Sequence, residues 1–324
     1  MTISRFAAAR ATRAYHAPSL LTRADVNAVS VGLRSVGGVD TNEPCVTVWV
    51  DRKLPAAQLA PSRLLPAQLG SGAATIRLDV RESTRLAAPV AVASAHPAVG
   101  ETAERLRPVE GGASGASFRF PVGTLTCVVS DATQPATQFL LSCNHVLANV
   151  NAGVVGDPVL QPAFSDGGNA GDTVGWLARW MPISFVASRP NLVDAALARV
   201  PGGACLPDVV LAGPVTGVRS AASLEPGEEV RKVGRSSGLS TQSVVGSDAD
   251  VWVTYRTAAG LMSALFYNQI LTTACAEYGD SGSPLLDAEN RIVGMLFSGT
   301  AQTTAFNRFD TIEAMLGVRF VPAA

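Results

Sequence analysis

The sequence predicts a mainly β protein, an antiparallel barrel or sandwich preceded by a small α/β unit. Three observations carry this expectation. From about residue 118 onward, short apolar and β-branched runs such as GTLTCVVSD, TQFLLSCNHVL, VDAALARV, VWVTYR and RIVGMLFSG recur at spacings of about 8 to 15 residues, with turn residues between them. These runs do not alternate with helical segments, as βαβ units would. Helical spacing of apolar positions marks instead one short segment at the end, FDTIEAMLGVRF.

In chain order, residues 1–24 read as a flexible N-terminal tail. Arg5, Arg10 and Arg13 interrupt the apolar run that a secretory signal needs, and no stretch of the chain reaches the roughly 18 apolar residues of a membrane span. A soluble, cytoplasmic protein without a membrane partner is the expectation. Residues 25–82 carry the strand-like runs NAVSVGLRSV, CVTVWVDRK and ATIRLDVRE, and the segment AAQLAPSRLLPAQLG has short helical potential broken by Pro61 and Pro66. That pattern suits a small α/β domain. Residues 83–117, rich in Ala, Pro, Gly and Ser, read as a linker. Residues 118–324 hold the remaining β runs and a short C-terminal helix.

Composition narrows the function. Of 324 residues, 47% are apolar and 16% charged, which excludes a disordered chain. The 25 basic and 26 acidic residues leave a net charge of −1, so no positive excess is available for a phosphate backbone and nucleic acid is not an expected partner. Five widely spaced cysteines, with no CxxC pair, argue against a disulfide framework or a structural zinc site and read as reduced, mostly buried thiols.

Histidine is the scarcest clue. Of His16, His96 and His145, only His145 ends an apolar strand, FLLSCNHVLAN, where a rigid scaffold can present it to a cleft. Alone it would read as a hydrogen-bonded structural histidine. Ser281, in Tyr278-Gly279-Asp280-Ser281-Gly282-Ser283-Pro284, lies between glycines on what should be a tight turn, where the N–H groups of Gly279 and Ser281 can converge on an oxyanion. The nucleophile elbow of α/β-hydrolases is a poor match: it needs glycine at 283 and a histidine after the serine. Asp194, in NLVDAALARV, is a carboxylate entering an apolar run; it needs a buried partner, and the imidazole N–H of His145 is a candidate. The order His145, Asp194, Ser281 is that of chymotrypsin-type enzymes.

On GDSGSP, NHVL and VDAAL in this order, the sequence resembles the trypsin-like serine proteases of the chymotrypsin double β-barrel fold. RPVEGGASGAS, LLSCNHVLAN, GDPVLQPAFSDGG, VRKVGRSSGLS and the N-terminal unit look like a bacterial subgroup related to the plant narrow-leaf proteases. The resemblance implies a chymotrypsin-like double antiparallel β-barrel over residues 118–324 behind the small α/β domain. It implies a serine endopeptidase acting through His145, Asp194 and Ser281, with Gly279 and Ser281 as the oxyanion hole and an acyl-enzyme intermediate. No metal or organic cofactor is called for.

By the same resemblance Cys275, six residues before Ser281, with Ala276 beside it, forms the base of the substrate pocket, and Phe297, Ser298 and Gly299 form a pocket wall and the substrate-pairing strand. No carboxylate stands at the base unless Glu277 turns inward, so an uncharged, small to medium apolar residue is expected on the acyl side of the cleaved bond. There are departures from the animal enzymes. Cys143-Asn144 stands where they have two alanines, and no Ile-Val-Gly-Gly start precedes the barrel, so nothing assigns a partner to Asp280.

Two motifs are read as ordinary turns. Gly234-Arg235-Ser236-Ser237-Gly238 suits a hairpin better than a phosphate loop, and Asp157, Asp166 and Asp172 suit solvated turns better than a calcium site. The expected partners are protein or peptide substrates, with a homo-oligomer left open. The alternatives to an active endopeptidase are a catalytically weak binding or scaffold protein on the same barrel, and a latent protease blocked by its own N-terminal domain.

Overall fold

The computed structural model describes residues 4–70, 75–88, 100–320 and 322. The chain is mainly β, with two antiparallel barrels. In the first, the strands Cys127–Asp131, Gln138–Ser142, Ala196–Val200, Thr173–Trp180, Pro158–Leu160 and Ala116–Ser117 are neighbours in that order, with Val318–Phe320 on the outer side of the first. A bridge between Ser114 and Thr124 leads the last strand back toward the first. Gln138–Ser142 is buried on both faces along nearly its whole length. Its leucines lie in one apolar cluster with residues of the second barrel and of the C-terminal helix, Phe309–Leu316. That helix forms over the segment whose apolar spacing predicted it.

The second barrel closes on itself. Glu229–Gly234 pairs with Pro284–Leu286 on one side and with Gly238–Thr257 on the other, and the ring between them runs through Arg291–Gly299, Thr303–Arg308 and Gly260–Thr273. Closure pairs these strands with one another and limits the edge left for any other strand. QSVVG and VWVTYR, separate runs in the sequence, belong to one long bent strand, Gly238–Thr257, whose pairing with Gly260–Thr273 shifts register three times. The predicted hairpin at residues 234–238 is present, with Gly234 opposite Gly238.

The N-terminal strands do not stand apart. Val26–Val36 forms a hairpin with Val39–Val50, which pairs in parallel with Ile76–Glu82. The outer edge of Val26–Val36 pairs with Gly238–Thr257, through Ala28 opposite Val251 and Val29 opposite Asp250. Among the described residues, one twelve-stranded sheet therefore runs from the N-terminal unit into the second barrel.

Three local expectations meet a different structure. Residues expected as a flexible tail form helix α1, Ala7–Leu20, which buries Ala9, Arg13, Ala17 and Leu20. The four lie on one face at a spacing of three to four residues. Their small side chains give a weak apolar signal, and Arg13 is drawn in by a buried ion pair with Asp250, a residue far along the chain. The segment AAQLAPSRLLPAQLG makes two single 3-10 turns, Ala56–Gln58 and Pro61–Arg63, because its prolines prevent a continuous helix. The expected linker contains the buried strand residues Leu86 and Val109; its residues 89–99, with His96, lie outside the described residues.

Burial pushes the Asp250 carboxyl up, and the neighbouring Arg13 opposes that shift. Replacing Arg13→Met removes the opposing cation from a buried carboxylate, and urea unfolding at pH 7 should register a loss of about 3 kcal/mol. A carboxyl whose folded pKa is raised costs stability as the pH rises through that value, so the loss should be larger at pH 8 than at pH 5.

Candidate active site

His145 lies in a single helical turn, α2 (Asn144–Leu147), that ends the strand Gln138–Ser142, and its side chain is almost wholly buried. Its Nδ1 is 2.6 Å from Asp194 Oδ2, and its backbone N–H donates to Asp194 Oδ1 at 3.2 Å. An ionised carboxylate only accepts, so this contact fixes the proton on Nδ1 and leaves Nε2 as the acceptor of the neutral ring. Asp194 lies two residues before the first-barrel strand Ala196–Val200 and is fully buried. It also accepts the hydroxyl of Tyr255 at 2.8 Å, and its N–H donates to Asn307 Oδ1 at 2.8 Å. Tyr255 and Asn307 belong to the second barrel, so the carboxylate ties the two barrels together. Burial and the charge of Asp194 push the Tyr255 hydroxyl well above its ordinary pKa and keep it a donor.

Ser281 stands on a loop that only glycine neighbours permit. Gly279 and Gly282 have φ of +102° and +99°, and a Cβ on Gly282 would lie 1.9 Å from Thr124 O. The loop is pinned from the first barrel. Thr124 N–H donates to Ser281 O at 2.8 Å, Thr124 Oγ1 to Gly279 O at 2.8 Å, and Thr126 Oγ1 to Gly282 O at 2.7 Å. Gly282 N–H also reaches the thiol of Cys143, which sets the residue after Ser281 against the residue two before His145. Ser281 Oγ and His145 Nε2 are both buried without a hydrogen-bond partner, so the structure bonds His145 to Asp194 but not to Ser281. Among the described residues, the N–H groups of Gly279 and Ser281 donate to no protein acceptor.

The partner of Asp280, unassigned in the sequence, is Lys232. Its Nζ lies 2.7 Å from Asp280 Oδ2, and both side chains are fully buried. Asp280 also accepts the N–H of Ser236 at 2.9 Å, the Ser237 hydroxyl at 2.6 Å and the N–H of Glu277 at 3.0 Å. A signal for Lys232 was present. It is one of two lysines in the chain, in the strand run EEVRKVG, two residues from the apolar Val230 and so on its face. Tyr255 and Asn307 carried no such signal, since nothing in their own strands names Asp194. The aspartates read as solvated turns are ion-paired instead, Asp166 with Arg235 and Asp157 with Arg119.

Of the expected pocket residues, Ala276 and Gly299 are neighbours. Cys275 and Ala276 are partly buried, and a Cβ on Gly299 would lie 2.8 Å from Ala276 Cβ. Burial pushes the Cys275 thiol up. Phe297 is fully buried with its ring 4.9 Å from that of Phe266, and Ser298 Oγ is buried without a partner. Glu277 is exposed. The cavity beside His145, about 610 Å³, is lined by none of these five residues but by Phe120, Phe185, Tyr255 and Met262 among others.

One group could in principle hold a metal. Ligand atoms of Cys143, His145 and Asp194 lie within 4.8 Å of one another. Burial and the negative charge of Asp194 push the Cys143 thiol far above its usual range, so it stays protonated and donates to Leu296 O at 3.2 Å. A protonated thiol is a poor ligand, and the His145–Asp194 hydrogen bond already uses Nδ1.

Two family models match the chain. The family model of the trypsin-like peptidase domain matches residues 125–295, and that of the NARROW LEAF 1 N-terminal domain matches residues 10–81. Among solved structures, Thermobifida fusca protease A is 19% identical, with 66% of this chain and 99% of that one covered and a TM-score of 0.47. For Cellulomonas bogoriensis chymotrypsin the values are 22%, 66%, 99% and 0.46. No curated protein sequence matches the chain.

Removing one member of a buried ion pair strands the other. Lys232→Met should lower unfolding stability by about 3 to 5 kcal/mol. Combining it with Asp280→Leu should cost less than the two single changes together, which a double-mutant cycle in urea would register as coupling.

Proposed function

The chain belongs to the trypsin-like peptidase family, and from that premise we propose that it is a serine endopeptidase in which Ser281 is the nucleophile, His145 the general base and acid, and Asp194 the orienting carboxylate. The observation that carries this reading is the 2.6 Å contact between His145 Nδ1 and Asp194 Oδ2, which leaves Nε2 as the acceptor, together with the unpartnered Ser281 hydroxyl. Catalytic hydrogen bonds in a free enzyme are often long and tighten when substrate binds.

In the proposed reaction Nε2 takes the Ser281 proton as Oγ attacks the peptide carbonyl. Asp194 stabilises the imidazolium that forms, while Tyr255 and the N–H of His145 hold the carboxylate in place. The N–H groups of Gly279 and Ser281 receive the developing oxyanion. The imidazolium then protonates the leaving amine; water, deprotonated by Nε2, attacks the acyl carbonyl, and Nε2 returns that proton to Ser281 Oγ as the acyl–oxygen bond breaks and the acid product leaves. Lys232 acts at one remove: it holds Asp280, and Asp280 holds the turn that aims both oxyanion donors. The uncharged side chains of Cys275 and Ala276 favour a small to medium apolar residue on the acyl side.

A fluorophosphonate probe should label the wild-type chain and fail to label Ser281→Ala. Failure to label the folded wild type would favour the scaffold reading. Against a peptide library, Ser281→Ala should lower kcat by about 10⁴-fold or more and Asp194→Asn by about 10⁴-fold. Tyr255→Phe, which removes one hydrogen bond to a charged group, should cost about 10- to 100-fold.

A further inference from the structure

The strand Arg291–Gly299 passes directly beside the Ser281 loop. Leu296 N–H donates to Ser283 O at 2.9 Å, and Gly282 N–H donates to Leu296 O at 2.8 Å. The opposite edge of this strand is taken by Thr303–Arg308. Past Leu296, its near edge is therefore the place where an extended peptide with its carbonyl at Ser281 would add as a further strand.

That edge is already occupied by the chain itself. Ala87 pairs antiparallel with Gly299. On its other side the same short strand, Leu86–Ala87, pairs in parallel with Val253 and Thr254, and Ala88 N–H donates to Thr254 O at 3.1 Å. Leu86 and Ala88 are each 3% exposed and belong to the main apolar cluster. Ser83 Oγ anchors the start of the segment 3.0 Å from Thr303 Oγ1 and 3.2 Å from Thr300 Oγ1. At its far end Ala88 lines the same cavity as His145.

We infer that Leu86–Ala88 is an intramolecular occupant of the acyl-side binding edge, and that it makes the protein discriminate against peptides extended on that side until the strand is displaced. It enters beside Thr303, crosses Gly299 and ends at the His145 cavity. This is the course a substrate's own acyl side would follow. The inference rests on the proposed role of Ser281, but a ligand that fills only the reacting centre should be indifferent to the strand.

The test compares a single-residue ester with a peptide extended by several residues on the acyl side. Leu86→Asp places a charge in the apolar cluster and should raise the ratio of extended to short kcat/KM at least tenfold. Ser83→Cys with Thr303→Cys, oxidised to a disulfide, locks the strand and should lower that ratio, with recovery on reduction. An unchanged ratio in both variants, or equal losses for both substrates in Leu86→Asp, overturns the inference. A second readout is independent of catalysis. In a Ser281→Ala background, a fluorescent blocked peptide with the sequence of residues 83–88 should bind Leu86→Asp at least tenfold more tightly than the chain with Leu86 intact; equal binding overturns the occupancy. Absence of fluorophosphonate labelling with this binding difference preserved would instead overturn the role of Ser281.

Discussion

The burial of Asp280 is the constraint on which the site depends. A carboxylate with no water contact is costly unless its charge and lone pairs are met, and here Lys232, three backbone N–H groups and a hydroxyl meet them. Because Asp280 lies between Gly279 and Ser281, satisfying it sets the direction of both neighbouring N–H groups. The loop is then held from the other side by Thr124 and Thr126 of the first barrel. A single internal ion pair thus organises backbone contributed by both barrels, and the cation is built into a strand, so no new chain terminus is needed to supply it.

The two barrels are joined by polar contacts around Asp194, at the proposed site, and by apolar packing elsewhere. Asp194 accepts from His145 and Tyr255, while its own amide donates to Asn307, which in turn donates to Gln269. Every one of these groups is buried, so a shift of one barrel against the other would leave several polar atoms unpaired at once. That is a physical reason for a rigid cleft floor even though the residues arrive from well-separated stretches of sequence.

What was legible in the sequence follows from how local each signal is. The β rhythm, the C-terminal helix and the hairpin at residues 234–238 depend on neighbours in the chain, and they could be read. His145 stood out by scarcity, Asp194 by the cost of its charge in an apolar run, and the Ser281 turn by its glycines. Helix α1 was not legible because its buried face is built from alanines around Arg13, whose partner Asp250 lies on a distant strand. Tyr255 looks like any strand tyrosine until the fold brings it to Asp194. The strand inside the expected linker is hidden for a related reason: Leu86 and Ala88 sit among small residues and prolines, and the pairing partners of this strand at Val253, Thr254 and Gly299 lie more than half the chain away.

The seam between Val26–Val36 and Gly238–Thr257 has a consequence for biosynthesis. The first hairpin emerges from the ribosome long before the strand that completes it, so its apolar outer edge must wait, unpaired, while most of the polypeptide is made. Docking across so long a separation is entropically slow and leaves an aggregation-prone edge exposed in the meantime.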